Sequence, residues 1–219
     1  MTINGTVTKT FLSVCLVVIS GYYSWINISI TNTLMLPCVL VGLVLGIVTI
    51  YKKHLSPITV PIYAVIQGIF LGAISYTFNS LYDGIVITAI SYTLSILFVM
   101  LTLYRTGIIK PTENFKLGVA AGTGGIALIY VANFIMSFFG TGLSIMDINN
   151  ASIYSIGFSL LVIVMASLNL VVDFDFIEEG SEKGAPKYME WFGAFGLLVT
   201  LIWLYLEILR LLAKLNSRK

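Results

Sequence analysis

The stretches Ser167-Leu-Asn-Leu-Val-Val-Asp173-Phe-Asp175-Phe-Ile177 and Leu201-Ile-Trp-Leu-Tyr-Leu-Glu207-Ile-Leu-Arg210-Leu-Leu each set a carboxylate into an apolar run. Both runs are long enough to belong to helices that cross a bilayer. A carboxylate at membrane depth is costly, so it needs a partner, a water-filled cavity or a task. The rest of the chain reads as scaffold around these two acids.

Working outward, seven apolar segments approach the roughly 20 residues that span a bilayer as a helix. They are Thr10–Ile26, Thr33–Tyr51, Ile58–Asn79, Ile85–Tyr104, Leu117–Phe139, Ile153–Val172 and Met189–Leu212. The connections between them are short, so the expectation is one all-α transmembrane domain over residues 1–219. The apolar runs are continuous and lack the period of two that a membrane β-barrel requires. Of the 219 residues 58% are hydrophobic and 10% charged, and the mean hydropathy is +0.99. A soluble domain carries roughly 25% charged residues. The net charge of +2 is small and scattered, which argues against a nucleic-acid partner. Cys15 and Cys38 sit inside apolar runs and read as small hydrophobes. His54, the one histidine, lies beside Lys52 and Lys53, so a zinc centre is not expected.

The first, third and fifth connections carry no Lys or Arg, whereas Lys52, Lys53, Arg105, Lys110, Lys116, Lys183 and Lys187 lie on the second, fourth and sixth. With Lys9 before the first helix, the positive-inside rule places the N-terminus in the cytoplasm. The tail runs against this: seven full crossings put Lys214, Arg218 and Lys219 on the other side, unless the last segment does not cross fully. Glycine pairs at small-xxx-small spacing, Gly42/Gly46, Gly68/Gly72 and Gly118/Gly122, predict close helix packing. The fifth helix is the richest in glycine.

The polar groups at depth are Gln67, Asn133, Asn169, Asp173, Asp175 and Glu207. The amides read as hydrogen-bonding groups between helices. Asn169 and Asp173 are four residues apart and share one helix face. If the sixth helix stops near Val172, Asp173 and Asp175 are interfacial acids. If it continues, about 100° per residue turns them roughly 200° apart. Glu178, Glu179, Glu182 and Glu190 read as a hydrated acidic connection. Glu207 has two readings. In one it forms a local ion pair with Arg210 at i+3. In the other it approaches Asp173 in the bundle interior, and the two carboxylates share a proton. Deprotonation would then separate them and expose an oxygen-rich anionic site suited to Ca²⁺, a pH-sensitive gate.

Ser167-Leu-Asn-Leu-Val-Val-Asp173-Phe-Asp-Phe-Ile-Glu-Glu-Gly and Leu204-Tyr-Leu-Glu207-Ile-Leu-Arg-Leu-Leu resemble the C-terminal signature of the Bax-inhibitor (transmembrane BAX inhibitor motif) family, in its prokaryotic branch. The resemblance implies six helices around a central seventh, in a bacterial plasma (inner) membrane. It also implies a calcium leak gated by protons through a carboxylate pair, here Asp173 and Glu207, which would hold Ca²⁺ transiently. Asn169, Asp175 and Arg210 would support them, and no cofactor is expected beyond the ion itself. The chain departs from the family at Glu207, where Asp is common, and in its longer interval from Asp173. The two acids meet only if part of Pro186–Gly196 runs along the interface before the last helix descends, a bend that Gly193 and Gly196 would permit.

Three functions compete: a passive, proton-sensitive calcium leak channel; a proton-coupled carrier; and a non-transporting regulator that binds a protease or channel partner in the membrane. An enzyme is not expected, because no Ser/His/Asp set, H-E-x-x-H or phosphate loop occurs.

Overall fold

The computed structural model describes residues 1–218, with Ile30 described by its backbone alone. Among these residues there are seven helices long and apolar enough to cross a membrane, and no strand. They are α1 (Ile3–Ile26), α2 (Met35–Tyr51), α3 (Ser56–Leu81), α4 (Ile85–Arg105), α5 (Glu113–Phe138), α6 (Ile153–Glu182) and α7 (Met189–Asn216). A helical turn over Ile28–Thr31 and a 3₁₀ turn over Asn32–Leu34 join α1 to α2.

Several helices outrun the apolar segments that predict them, because caps and breakers set helix ends while hydropathy does not. Thr2 caps α1, its Oγ1 accepting from Gly5 N at 3.0 Å, so the helix starts well before Thr10. Thr112 likewise caps α5 ahead of Leu117, accepting from Phe115 N at 3.3 Å. The sixth helix passes Val172 and continues to Glu182. Nothing in Asp173–Glu182 breaks it, and the stop comes at Gly184, whose φ of 62° suits glycine, with Pro186 following. Pro37 falls in the first turn of α2, where no intrahelical N–H is lost, while Pro61 lies inside α3.

The chain divides into two compact units, one of residues 1–81 and 173–199, the other of residues 82–172 and the chain from Thr200 onward. In the first unit the glycine spacing acts between α1 and α3. A Cβ on Gly72 would lie 2.2 Å from the carbonyl oxygen of Gly21, and one on Gly68 would lie 2.5 Å from that of Val17. Ser24 Oγ donates across the same seam to Ile69 O at 2.7 Å. Gly42 of α2 admits the Gln67 amide, which a Cβ would meet at 2.6 Å. The glycine-rich α5 is different: Gly118, Gly124 and Gly125 have open space where a Cβ would go, and only Gly122 is crowded, by Met165.

The last helix is the most enclosed, 67% of its apolar window being buried. In the first unit it buries Ala194, Phe195, Leu197 and Leu198, with Tyr63 edge-on to Phe195 at 5.1 Å. In the second it buries Ile202, Leu204, Tyr205, Ile208, Leu209 and Ala213. In each unit the C-terminal helix thus supplies much of the buried core.

Chain direction follows from contacts within each unit. Thr2 and Lys9 meet Glu190 at the start of α7, and the Lys53 ammonium lies 5.0 Å over the Phe192 ring. Lys214 near the end of α7 meets Ile145 in the α5–α6 connection. In the first unit the last helix therefore starts beside the N-terminus, and in the second it ends beside the α5–α6 connection. The tail's positive charge is smaller than it looks, because Lys214 is buried and bonded internally; Arg218 is exposed, and Lys219 lies outside the described residues.

Candidate ion and proton site

Glu207 lies in the second unit, three residues before Arg210 on α7. Its side chain is 1% exposed. Its Oε2 accepts two hydrogen bonds, from the Tyr130 phenol of α5 at 2.6 Å and from Arg210 Nη1 at 2.6 Å. Arg210 Nη1 also donates to the Tyr130 oxygen at 2.9 Å, and its guanidinium lies 5.4 Å from the centre of that ring. The i,i+3 spacing brings Glu207 and Arg210 together locally; the tyrosine comes from far along the chain. Every bond to the carboxylate falls on one oxygen. The other, Oε1, is buried and has no hydrogen-bond partner. An unsatisfied buried acceptor costs about 1–3 kcal/mol, and this oxygen carries that cost. One turn earlier on the same face, the Trp203 Nε1 donor is likewise buried and unpaired.

Of the other expected site residues, Asn169 bonds the neighbouring α5, its Nδ2 donating to Thr123 Oγ1 at 2.7 Å, and also donates to Met165 O of its own helix at 2.9 Å. Asn133 holds the α5–α6 connection by accepting from Leu143 N at 2.8 Å. Asp173 is half-buried in the first unit. Its Oδ1 lies 3.0 Å from the place a Cβ on Gly196 would take, so the carboxylate rests against bare backbone of α7. Asp175, also half-buried, points elsewhere because the helix is unbroken between them. The last helix runs without a break through Gly193 and Gly196, so the interfacial bend that these glycines would permit is absent. Gly196, which faces Asp173, comes about three turns before Glu207 on α7.

One expectation is corrected. Glu190 is no part of a hydrated acidic connection: it is 3% exposed and accepts from Thr2 N at 3.0 Å, Thr2 Oγ1 at 3.1 Å and Lys9 Nζ at 2.5 Å. Glu178, Glu179 and Glu182 are exposed, as read from the sequence. Tyr130 and Lys214 went unrecognised. A tyrosine in a glycine-rich apolar helix and a lysine near a basic tail carry no local signal.

A model of the Bax inhibitor 1 like family matches residues 1–217. The chain belongs to that family. Among curated proteins none matches it. In this Bax inhibitor 1 like protein the match takes in the glycine seam of α1 and α3 and the Glu190 cluster as well as the two C-terminal stretches that carry the resemblance.

The Tyr130–Glu207–Arg210 cluster makes a direct prediction. Tyr130→Phe keeps the ring and deletes one donor to a buried carboxylate. The expected loss is about 2 kcal/mol, typical of a hydrogen bond to a charged group. Unfolding in mixed micelles measures it, and the loss should shrink by at least half when Glu207→Gln is already present.

Proposed function

We propose that this family member is a pH-sensitive leak channel for cations, calcium among them, in which Glu207 and Asp173 supply the titrating carboxylates. The observation that carries the reading is the buried, unpartnered Oε1 of Glu207 inside a membrane-spanning helix. An enclosed carboxylate held by a phenol and a guanidinium on one oxygen, with the other oxygen open, can gain or lose a proton without losing its anchors. Protonation at Oε1 cancels the charge that draws a cation. Loss of that proton restores an anionic oxygen suited to a hard ion such as Ca²⁺. Arg210 competes for the same carboxylate and keeps it from trapping the ion, which favours passage over storage. Family membership supports the same reading.

Localisation is part of the proposal. Lys9 and Lys53 lie beside the start of α7, close to the connection that carries Lys183 and Lys187, and the positive-inside rule puts that side in the cytoplasm of a bacterial plasma membrane.

Calcium flux into proteoliposomes of the purified protein tests the proposal. Flux should depend on pH, and Glu207→Gln should flatten that dependence. Asp173→Asn should alter it too. If the double variant does no more than the stronger single one, the acids work as one gate; strictly additive effects would remove the joint gate from the proposal. No flux above empty liposomes, with the protein folded, would sink the channel reading in favour of a non-transporting regulator. Saturable exchange driven by a pH gradient would replace the channel with a proton-coupled carrier.

A further inference from the structure

The second unit holds another charged group inside the membrane-spanning helices, and the leak proposal does not use it. Lys214 is fully buried near the end of α7. Its ammonium donates to Ile145 O at 2.9 Å, Ser159 Oγ at 3.0 Å and Ser155 O at 3.2 Å. These oxygens come from the α5–α6 connection and from the start of α6. The connection is itself tied down, since Ser155 Oγ donates to the same Ile145 carbonyl at 2.9 Å and Asn150 Nδ2 donates to Ser144 O at 2.9 Å.

All three bonded partners of the ammonium are neutral oxygens. A buried charge is normally paired with an opposite one, because desolvation is expensive. The Glu207 and Asp147 carboxylates attract the ammonium through space, but its hydrogen bonds go to two carbonyls and a hydroxyl, which match its three donors one for one. Rings of carbonyl oxygens are also how proteins replace the hydration shell of a monovalent metal cation. Lysine differs from such an ion chiefly in being tethered: its head is a compact point charge on a flexible stem.

We propose that Ile145 O, Ser155 O and Ser159 Oγ form a monovalent-cation site whose resident ion is the Lys214 ammonium. The tether fills the site permanently, denies it to free ions and clamps the α5–α6 connection onto α6. This does not rest on the leak-channel reading, since it concerns ion binding and stability, not flux.

The test is Lys214→Ala, which empties the site and leaves its oxygens, against Lys214→Met, which removes the charge but keeps the stem in place. Unfolding midpoints are compared in ammonium, methylammonium, potassium and N-methylglucamine chlorides at equal ionic strength. Lys214→Ala should be less stable than the parent, and its midpoint should climb with the logarithm of ammonium or potassium concentration, as for a ligand that binds only the folded state. N-methylglucamine, too large for the site, should do nothing. The parent and Lys214→Met should show no difference among the four salts. A Lys214→Ala protein with the same midpoint in all four overturns the proposal, leaving Lys214 as a packing residue. So does a Lys214→Ala protein that fails to fold with ammonium present.

Discussion

Gly72→Ala is expected to force α1 and α3 apart and to cost about 3 kcal/mol or more, the upper end of the penalty for overpacking. The new methyl group would sit 2.2 Å from the carbonyl oxygen and 2.9 Å from the carbonyl carbon of Gly21. Both are backbone atoms, so no rotamer change relieves the clash, and the helices must separate. Separation would also break the Ser24–Ile69 bond across the seam. In lipid nothing replaces that loss cheaply, because helix association there depends on close van der Waals contact and on hydrogen bonds between helices. Gly118→Ala is the control. It sits in open space on α5 and should be neutral or gain up to about 1 kcal/mol from better helix propensity. Unfolding in mixed micelles ranks the two, and equal effects would show that the α1–α3 seam is not under this constraint.

Glu190→Ala is expected to cost about 3 kcal/mol, the lower end of what breaking a buried ion pair costs, because the partner Lys9 ammonium keeps 17% of its side chain exposed. The carboxylate serves two helices at once. It is the second residue of α7, and it receives the Thr2 N–H and hydroxyl at the start of α1. There it satisfies a donor that the first turn of a helix leaves orphaned and sits at the positive end of the helix dipole. Gly5 makes the room, since a Cβ there would fall 2.4 Å from the carboxylate carbon. Glu190→Gln keeps the Thr2 contacts and should lose roughly half as much. Glu190→Gln combined with Lys9→Met removes both charges and should recover part of the loss, as neutral replacements of buried pairs do. If the double variant, which keeps the Thr2 bonds, is no more stable than Glu190→Ala, the ion pair and not those bonds holds the start of α1.

The features legible in the sequence are those that depend on neighbours along the chain. Seven spans are visible because about 20 consecutive apolar residues suffice to cross a bilayer. Glu207 and Arg210 are visible as a pair because they lie on adjacent turns of one helix. The end of α6 stays open in the sequence because hydropathy drops at Asp173, while the helix, which has no Pro in that stretch and runs through Gly180, continues to Glu182. Glu190 is not distinguished in the sequence for a related reason: four acids in one short stretch look alike until the fold buries one of them against the start of α1.

By itself the sequence determined the class of this protein and the number of its crossings. In hydrocarbon every backbone N–H and C=O must be bonded within the protein, and a continuous apolar run can do that only as a helix. It also determined that two of those helices carry acids at depth. Only the tertiary structure decided what those acids meet. Tyr130 is 77 residues from Glu207, and Thr2 is 188 residues from Glu190. Which of two helical faces turns toward a neighbour, and how closely, depends on side chains from both helices at once, as at Gly21 and Gly72. No local pattern in either helix contains that information.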